Sequence, residues 1–102
     1  MFRHSVLFAW KQEATEEQRA EAIAQIASLP TLLPTVRAFA SGPDVRVNDD
    51  NYDFAVTVDF DDAAGYLAYR DDPRHREIVS KYISPITAER AAVQYEFHPR
   101  TG

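Results

Sequence analysis

Tyr69 and His75 flank the sharpest break in the chain, Asp71-Asp72-Pro73. A phenol can hydrogen-bond a carbonyl or enolate oxygen, and an imidazole exchanges a proton near neutral pH. Asp72 followed by Pro73 reads as a helix N-cap with proline at the first helical position, which makes His75 the third residue of a new helix. His75 precedes Ile78 and Val79 by three and four positions and so shares their inward stripe. The helix N-terminus and partial burial both disfavour imidazolium, whereas nearby Asp71 and Asp72 favour it. Asp72 is expected to spend its charge on backbone N–H groups, leaving His75 neutral and able to act as a base at pH 7. His4 is a third candidate, on the bulky face of the first strand. Val6, Phe54, Val56 and Val58 would supply apolar walls. A plainer reading stands beside this one: His75 as a satisfied core histidine, Tyr69 as a packed ring with an exposed hydroxyl, and His4 bonded to a neighbour across the sheet.

Other chemistries find little support. Cysteine is absent and histidine occurs three times, with no pair spaced four residues apart, so no metal site is expected. Three glycines give no phosphate-cradling loop, and no serine sits in a nucleophile motif, so no cofactor is called for. The formal charge of −5, with no clustered lysine or arginine, excludes a phosphate-backbone partner. No apolar run approaches the roughly 20 residues of a membrane span, and no signal segment opens the chain. A cytoplasmic protein is the expectation.

The elements that would position these residues follow from periodicity. Phe2 to Trp10 alternates as a strand, with Phe2, His4, Val6, Phe8 and Trp10 on one face. Thr15-Glu16-Glu17-Gln18 is a capping box, opening a helix that runs to about Leu29 and ends at Pro30 and Pro34. Val36 to Ser41 reads as a second strand, and Asp44 to Asn51 as the longest loop. Tyr52 to Phe60 is the clearest strand. Asp61-Asp62 caps a short helix through Arg70, weakened by Gly65. The helix restarted at Pro73 carries Ile78, Val79, Tyr82, Ile83 and Ile86, and Glu89 to Phe97 is the last strand before a tail from His98 to Gly102.

The order β-α-β-β-α-β predicts an α+β, ferredoxin-like single domain over residues 1–102, a mostly antiparallel sheet with helices on one face. The other face would carry Leu7, Ala9, Ala55 and Thr57. They are too apolar for open water and too sparse for a private core, so a second copy of the chain packed sheet to sheet is expected.

Several stretches, taken in order, resemble the stress-responsive A/B barrel (Dabb) family. Phe2-Arg3-His4-Ser5-Val6-Leu7-Phe8 is similar to its opening strand. Leu29-Pro30 and Pro34-Thr35-Val36-Arg37 resemble its exit from the first helix, and Tyr52-Asp53-Phe54-Ala55 with Phe60-Asp61-Asp62 its third strand. Tyr69, Pro73, His75 and Lys81-Tyr82 resemble its tyrosine-and-two-histidine signature. The resemblance implies a ferredoxin-like protomer paired into a homodimeric α/β barrel, in some members a stress-associated protein of no assigned activity. In polyketide cyclases of the olivetolic acid cyclase type it implies acid–base chemistry by the residues matching Tyr69 and His75, with a strand-one histidine matching His4. Two positions depart from that pattern: the signature's first histidine is Asp72 here, and a strand-three pocket histidine is Phe54. The implied function is binding of a small apolar carbonyl or phenolic compound, with cyclisation or enolisation by Tyr69 and His75. A non-enzymatic structural protein and a cofactor-independent monooxygenase are the alternatives, the latter on fold analogy alone.

Overall fold

In the computed structural model, described for residues 1–99, a four-stranded antiparallel sheet carries its helices on one face. The strands are β1 (Phe2–Trp10), β2 (Ala38–Pro43), β3 (Phe54–Phe60) and β4 (Thr87–Glu96), in the spatial order β2-β3-β1-β4. The helices are α1 (Glu16–Leu32), α2 (Ala63–Asp71) and α3 (Pro73–Ile78). After α3 the chain continues as a π-helical turn, Val79–Ile83, and a 3₁₀ turn, Ser84–Ile86. This is the ferredoxin-like α+β fold expected from the element order.

Register decides what faces the helices. His4 pairs with Val58 on one side and Gln94 on the other, Val6 with Val56 and Ala92, and Phe8 with Phe54 and Arg90. Because side chains alternate along a strand, these rungs share the helix-facing surface. Val6, Phe8, Phe54, Val56, Val58 and Phe60 are buried there against Ile26, Leu29 and Leu33. Full burial of each large side chain contributes roughly 1.5–3 kcal/mol, and this layer is the principal core.

Four boundaries differ from the sequence expectation. Helix α1 continues through Pro30 to Leu32. Leu29 and Leu33 are both 2% exposed, and their burial holds the last turn on the sheet despite the amide that proline lacks. Strand β3 starts at Phe54 rather than Tyr52, because the Asp53 carboxylate accepts from the Trp10 amide at 2.7 Å and binds the Arg46 guanidinium, making Asp53 a loop anchor. Strand β2 runs from Ala38 to Pro43, two residues later than expected. Its partner, Pro43 against Phe54, sets that end. Strand β4 begins at Thr87, whose hydroxyl donates to the Ile83 carbonyl at 2.7 Å and ties the strand to the preceding turn.

The capping expectations are met in atomic detail. The Thr15 amide donates to the Gln18 side chain at 2.8 Å, and the Gln18 amide donates to the Thr15 hydroxyl at 3.1 Å. Asp62 alone caps α2, accepting from the Gly65 amide at 2.9 Å, while Asp61 pairs with Arg37 at 3.0 Å.

Candidate active site

A cavity of about 240 Å³ lies between the sheet and the helices. His4, Val6 and Phe8 of β1 form most of its floor, with Val56 from β3 and Arg90 from β4. Ile26 and Leu29 close one side. Tyr66, Tyr69 and Arg70 of α2, His75 of α3 and Val79 and Ile83 of the π-helical turn close the other. In that turn the Ser84 amide reaches back five residues to the Val79 carbonyl, which widens the helix where its inner face lines the cavity.

His75 is aimed by its own helix start. Asp72 caps α3 by accepting from the Arg74 amide at 2.8 Å, and its carboxylate also holds the Arg74 guanidinium at 3.0 Å. These contacts push the Asp72 carboxyl down to about 2, the Arg74 side chain being the largest cause and the Arg74 amide the next. The expectation that this charge goes to backbone N–H groups is met at the Arg74 amide, while the larger partner is the Arg74 guanidinium. His75 Nδ1 lies 3.3 Å from the Arg70 carbonyl oxygen. A carbonyl can only accept, so Nδ1 carries the proton of the neutral ring and donates, and the Nε2 lone pair is free to act as a base. Burial pushes the imidazole below its usual value, outweighing the Arg70 carbonyl and the Asp72 charge.

Tyr69 is 4% exposed, its ring 5.2 Å from that of Phe60 and 4.3 Å from the His75 imidazole, centroid to centroid. No hydrogen bond among the described residues engages its hydroxyl, and no buried side-chain oxygen or nitrogen is left unsatisfied. The hydroxyl is therefore open to the cavity. Burial pushes the phenol well above its usual value, so it remains a proton donor.

His4, 5% exposed, packs its ring against Tyr66 at 4.9 Å, and its Nδ1 lies 2.8 Å from the Gln94 amide nitrogen. With Gln94 donating, the proton of neutral His4 sits on Nε2. Burial pushes this histidine down to about 4, and the charges of Arg90 and His75 push in the same direction.

The structure brings His4, Val6, Val56, Tyr69 and His75 onto one cavity and leaves Phe54 and Val58 off it. Phe54 packs its ring 5.9 Å from Trp10 and borders a different hollow beside Pro43 and Tyr52. Val58 is wholly buried beneath the helices. Sequence reasoning missed Tyr66, Arg70, Gln94 and Arg90. The first two lie one helical turn or less from Tyr69. Arg90 and Gln94 have a signal in β4, where Arg90, Ala92 and Gln94 alternate with the more apolar Ala91, Val93 and Tyr95. Only the pairing with β1 reveals that the polar set faces the helices. Among the described residues no group of histidine, aspartate and glutamate side chains is arranged to hold a metal ion, and no helix is long and apolar enough to cross a membrane.

The model of the stress-responsive A/B barrel domain matches residues 2–97. No curated protein matches the chain. Among solved structures, a dimeric ferredoxin-like protein of unknown function from Thermobifida fusca is 38% identical, with a TM-score of 0.86 over 94% of this chain and 90% of that one. A Dabb family protein with a ferredoxin-like fold from Mesorhizobium loti is 21% identical, with a TM-score of 0.80 over 96% and 97%. A hydroxynitrile lyase from Passiflora edulis is 19% identical, with a TM-score of 0.84 over 99% and 96%. The last two likenesses are of fold.

Proposed function

We propose that this chain, which belongs to the stress-responsive A/B barrel family, is a homodimeric small-molecule-binding protein whose cavity performs cofactor-independent acid–base chemistry on a carbonyl or phenolic compound. One observation carries this reading: His75, Tyr69 and His4 line one largely apolar cavity, and the Nδ1 contacts of the two histidines leave His75 Nε2 to serve as base and His4 Nε2–H, with the Tyr69 hydroxyl, as donors. A structural protein bracing a helix break would gain nothing from leaving the Tyr69 hydroxyl unpartnered at a cavity wall.

The volume bounds the ligand. An apolar cavity of roughly 150 Å³ accepts benzene, and drug-sized ligands fill roughly 300 Å³ or more. About 240 Å³ suits one ring with a short substituent. For a ketone so placed, His75 Nε2 removes a proton from the carbon beside the carbonyl, and the electron pair moves onto oxygen. The Tyr69 hydroxyl, and His4 Nε2–H beside it, donate hydrogen bonds to that developing enolate. Passing the proton from the His75 imidazolium to the enolate oxygen completes enolisation, and returning it to carbon regenerates the ketone. Attack of the enolate carbon on a second carbonyl, with the imidazolium proton passing to the alkoxide so formed, completes a cyclisation.

The test is exchange of the α-protons of 1-phenylpropan-2-one into D₂O, followed by NMR. Wild type is expected to accelerate exchange over buffer, and His75→Ala to lose about 10²-fold of that acceleration, the usual share of a general base. Tyr69→Phe keeps the packed ring and is expected to slow exchange about tenfold without altering the thermal midpoint. Equal exchange by wild type and His75→Ala would overturn the reading.

A further inference from the structure

Arg90 is the cavity-lining cation that no carboxylate answers among the described residues. Six other arginines are paired: Arg3 with Asp59, Arg37 with Asp61, Arg46 with Asp53, Arg70 and Arg76 with Asp71, and Arg74 with Asp72. Arg19 donates to the Ala14 carbonyl at 2.7 Å. The chain carries 16 carboxylate side chains against 11 lysines and arginines, so an arginine without a partner is not a product of scarcity. Arg70, the other cation on the cavity wall, is bound by both oxygens of Asp71 at 2.8 and 3.2 Å and contributes little net field.

The placement of Arg90 is set by the sheet. It pairs with Phe8 on the helix-facing surface, and the side chain of its neighbour Glu89 points to the opposite face. Arg90 thus borders the same cavity as His4, Tyr69 and His75. A guanidinium offers a planar fork of donors that matches a carboxylate in two parallel hydrogen bonds.

We propose that the ligand of this cavity is a monocyclic carboxylate, its ring against Val6, Ile26, Leu29 and Val56 and its carboxylate on the Arg90 guanidinium. The inference rests on the cavity being a small-molecule site and adds the charge of what enters it. Arg90 is exposed, so the pair lies at the rim, where an ion pair contributes modestly and acts chiefly on specificity and on the rate of encounter. In a protein of net charge −5 it supplies the local positive potential that an anion needs in order to approach.

The test uses 4-hydroxybenzoate and its neutral counterpart 4-hydroxybenzamide, with affinities read from NMR shifts of the cavity residues. Wild type is expected to bind the carboxylate about tenfold more tightly than the amide. Arg90→Gln is expected to bring the two to equality by weakening the carboxylate alone. The carboxylate should also raise the titration midpoints of His4 and His75, which the amide should leave in place. Equal wild-type affinity for the two probes overturns the role of Arg90 while the cavity reading stands. An equal loss of both probes in Arg90→Gln also overturns that role, making the side chain a wall and not a selector. Binding of neither probe overturns this inference without touching the exchange test of the cavity's chemistry.

Discussion

The two cavity histidines are held neutral for the same first reason, burial, and that neutrality has a measurable cost in acid. The folded protein binds a proton at His4 only near pH 4, whereas the unfolded chain binds one near 6.5. Between those values the unfolded state holds more protons, so stability rises with pH there. The contribution of neutral His4 is complete above about pH 6.5, falls through the interval and is lost below pH 4. Because the ring borders an open cavity, water screens part of this effect, and the stability at stake is about 2 kcal/mol. Urea unfolding midpoints are expected to fall between pH 6.5 and 4, and His4→Phe, which cannot titrate, is expected to flatten that slope. An unchanged slope in His4→Phe would show that His4 is not held neutral by the fold. His75 is shifted in the same direction, so the acid limb of any base-dependent rate belongs below the ordinary histidine value. The inward, partly buried place of His75 was legible in the sequence from its spacing to Ile78 and Val79, and that burial is what lowers the pKa of its imidazole. The tautomer that frees Nε2 was not legible, because it depends on the Arg70 carbonyl, a contact closed by the bend between two helices.

The helices hold the site through junctions that sequence patterns mark well at their starts and poorly at their ends. Thr15, Asp62 and Asp72 are N-caps whose local hydrogen bonds depend on residues two or three positions on, so their signals survive without tertiary knowledge. The end of α1 and the π-helical turn depend on which leucines and isoleucines the sheet buries, and local sequence does not carry that. Gly65 illustrates the difference. Read locally it weakens α2, since glycine costs about 1 kcal/mol against alanine within a helix. In the fold a Cβ there would lie 3.3 Å from Phe60 Cβ and 3.6 Å from Thr35 Cβ. Phe60 is fully buried, with the rings of Phe2, Tyr66 and Tyr69 around it, and cannot yield. Gly65→Ala is therefore expected to destabilise by about 1 kcal/mol despite its better helix propensity, because overpacking outweighs the backbone gain. Chemical denaturation checks the sign: a more stable variant would show that α2 can move off the sheet.

At the scale of the whole molecule, the sheet has one face under the helices and one face bare. The bare face carries Leu7, Val93 and Tyr95 at 40%, 55% and 44% exposure, among small residues that include Ala38, Ala40, Ala55 and Ala91. Its one buried charge is answered internally, since Asp59 holds Arg3 at 2.7 Å while the Phe97 ring lies 4.3 Å from the guanidinium. Such a surface can pack against its own copy with that charge already answered, Glu89 lying at its end beside Ala9. The Thermobifida fusca relative is dimeric, which supports a homodimer here, and packing through this face is tested by salt and by a charge placed in it. Each copy brings a net −5, so approach is opposed at long range and favoured on contact. Association is then expected to strengthen as salt rises and the repulsion is screened, the reverse of an interface built on ion pairs. Leu7→Glu places a charge in the middle of the face and is expected to convert a species of twice the chain's mass to monomer in sedimentation equilibrium. Since Leu7 points away from the cavity, that monomer should still bind the ligand that wild type binds, within about threefold for a site remote from the substitution. A wild-type chain that sediments as a monomer would overturn the homodimer, and a Leu7→Glu dimer undiminished by the charge would place the partner elsewhere than on this face.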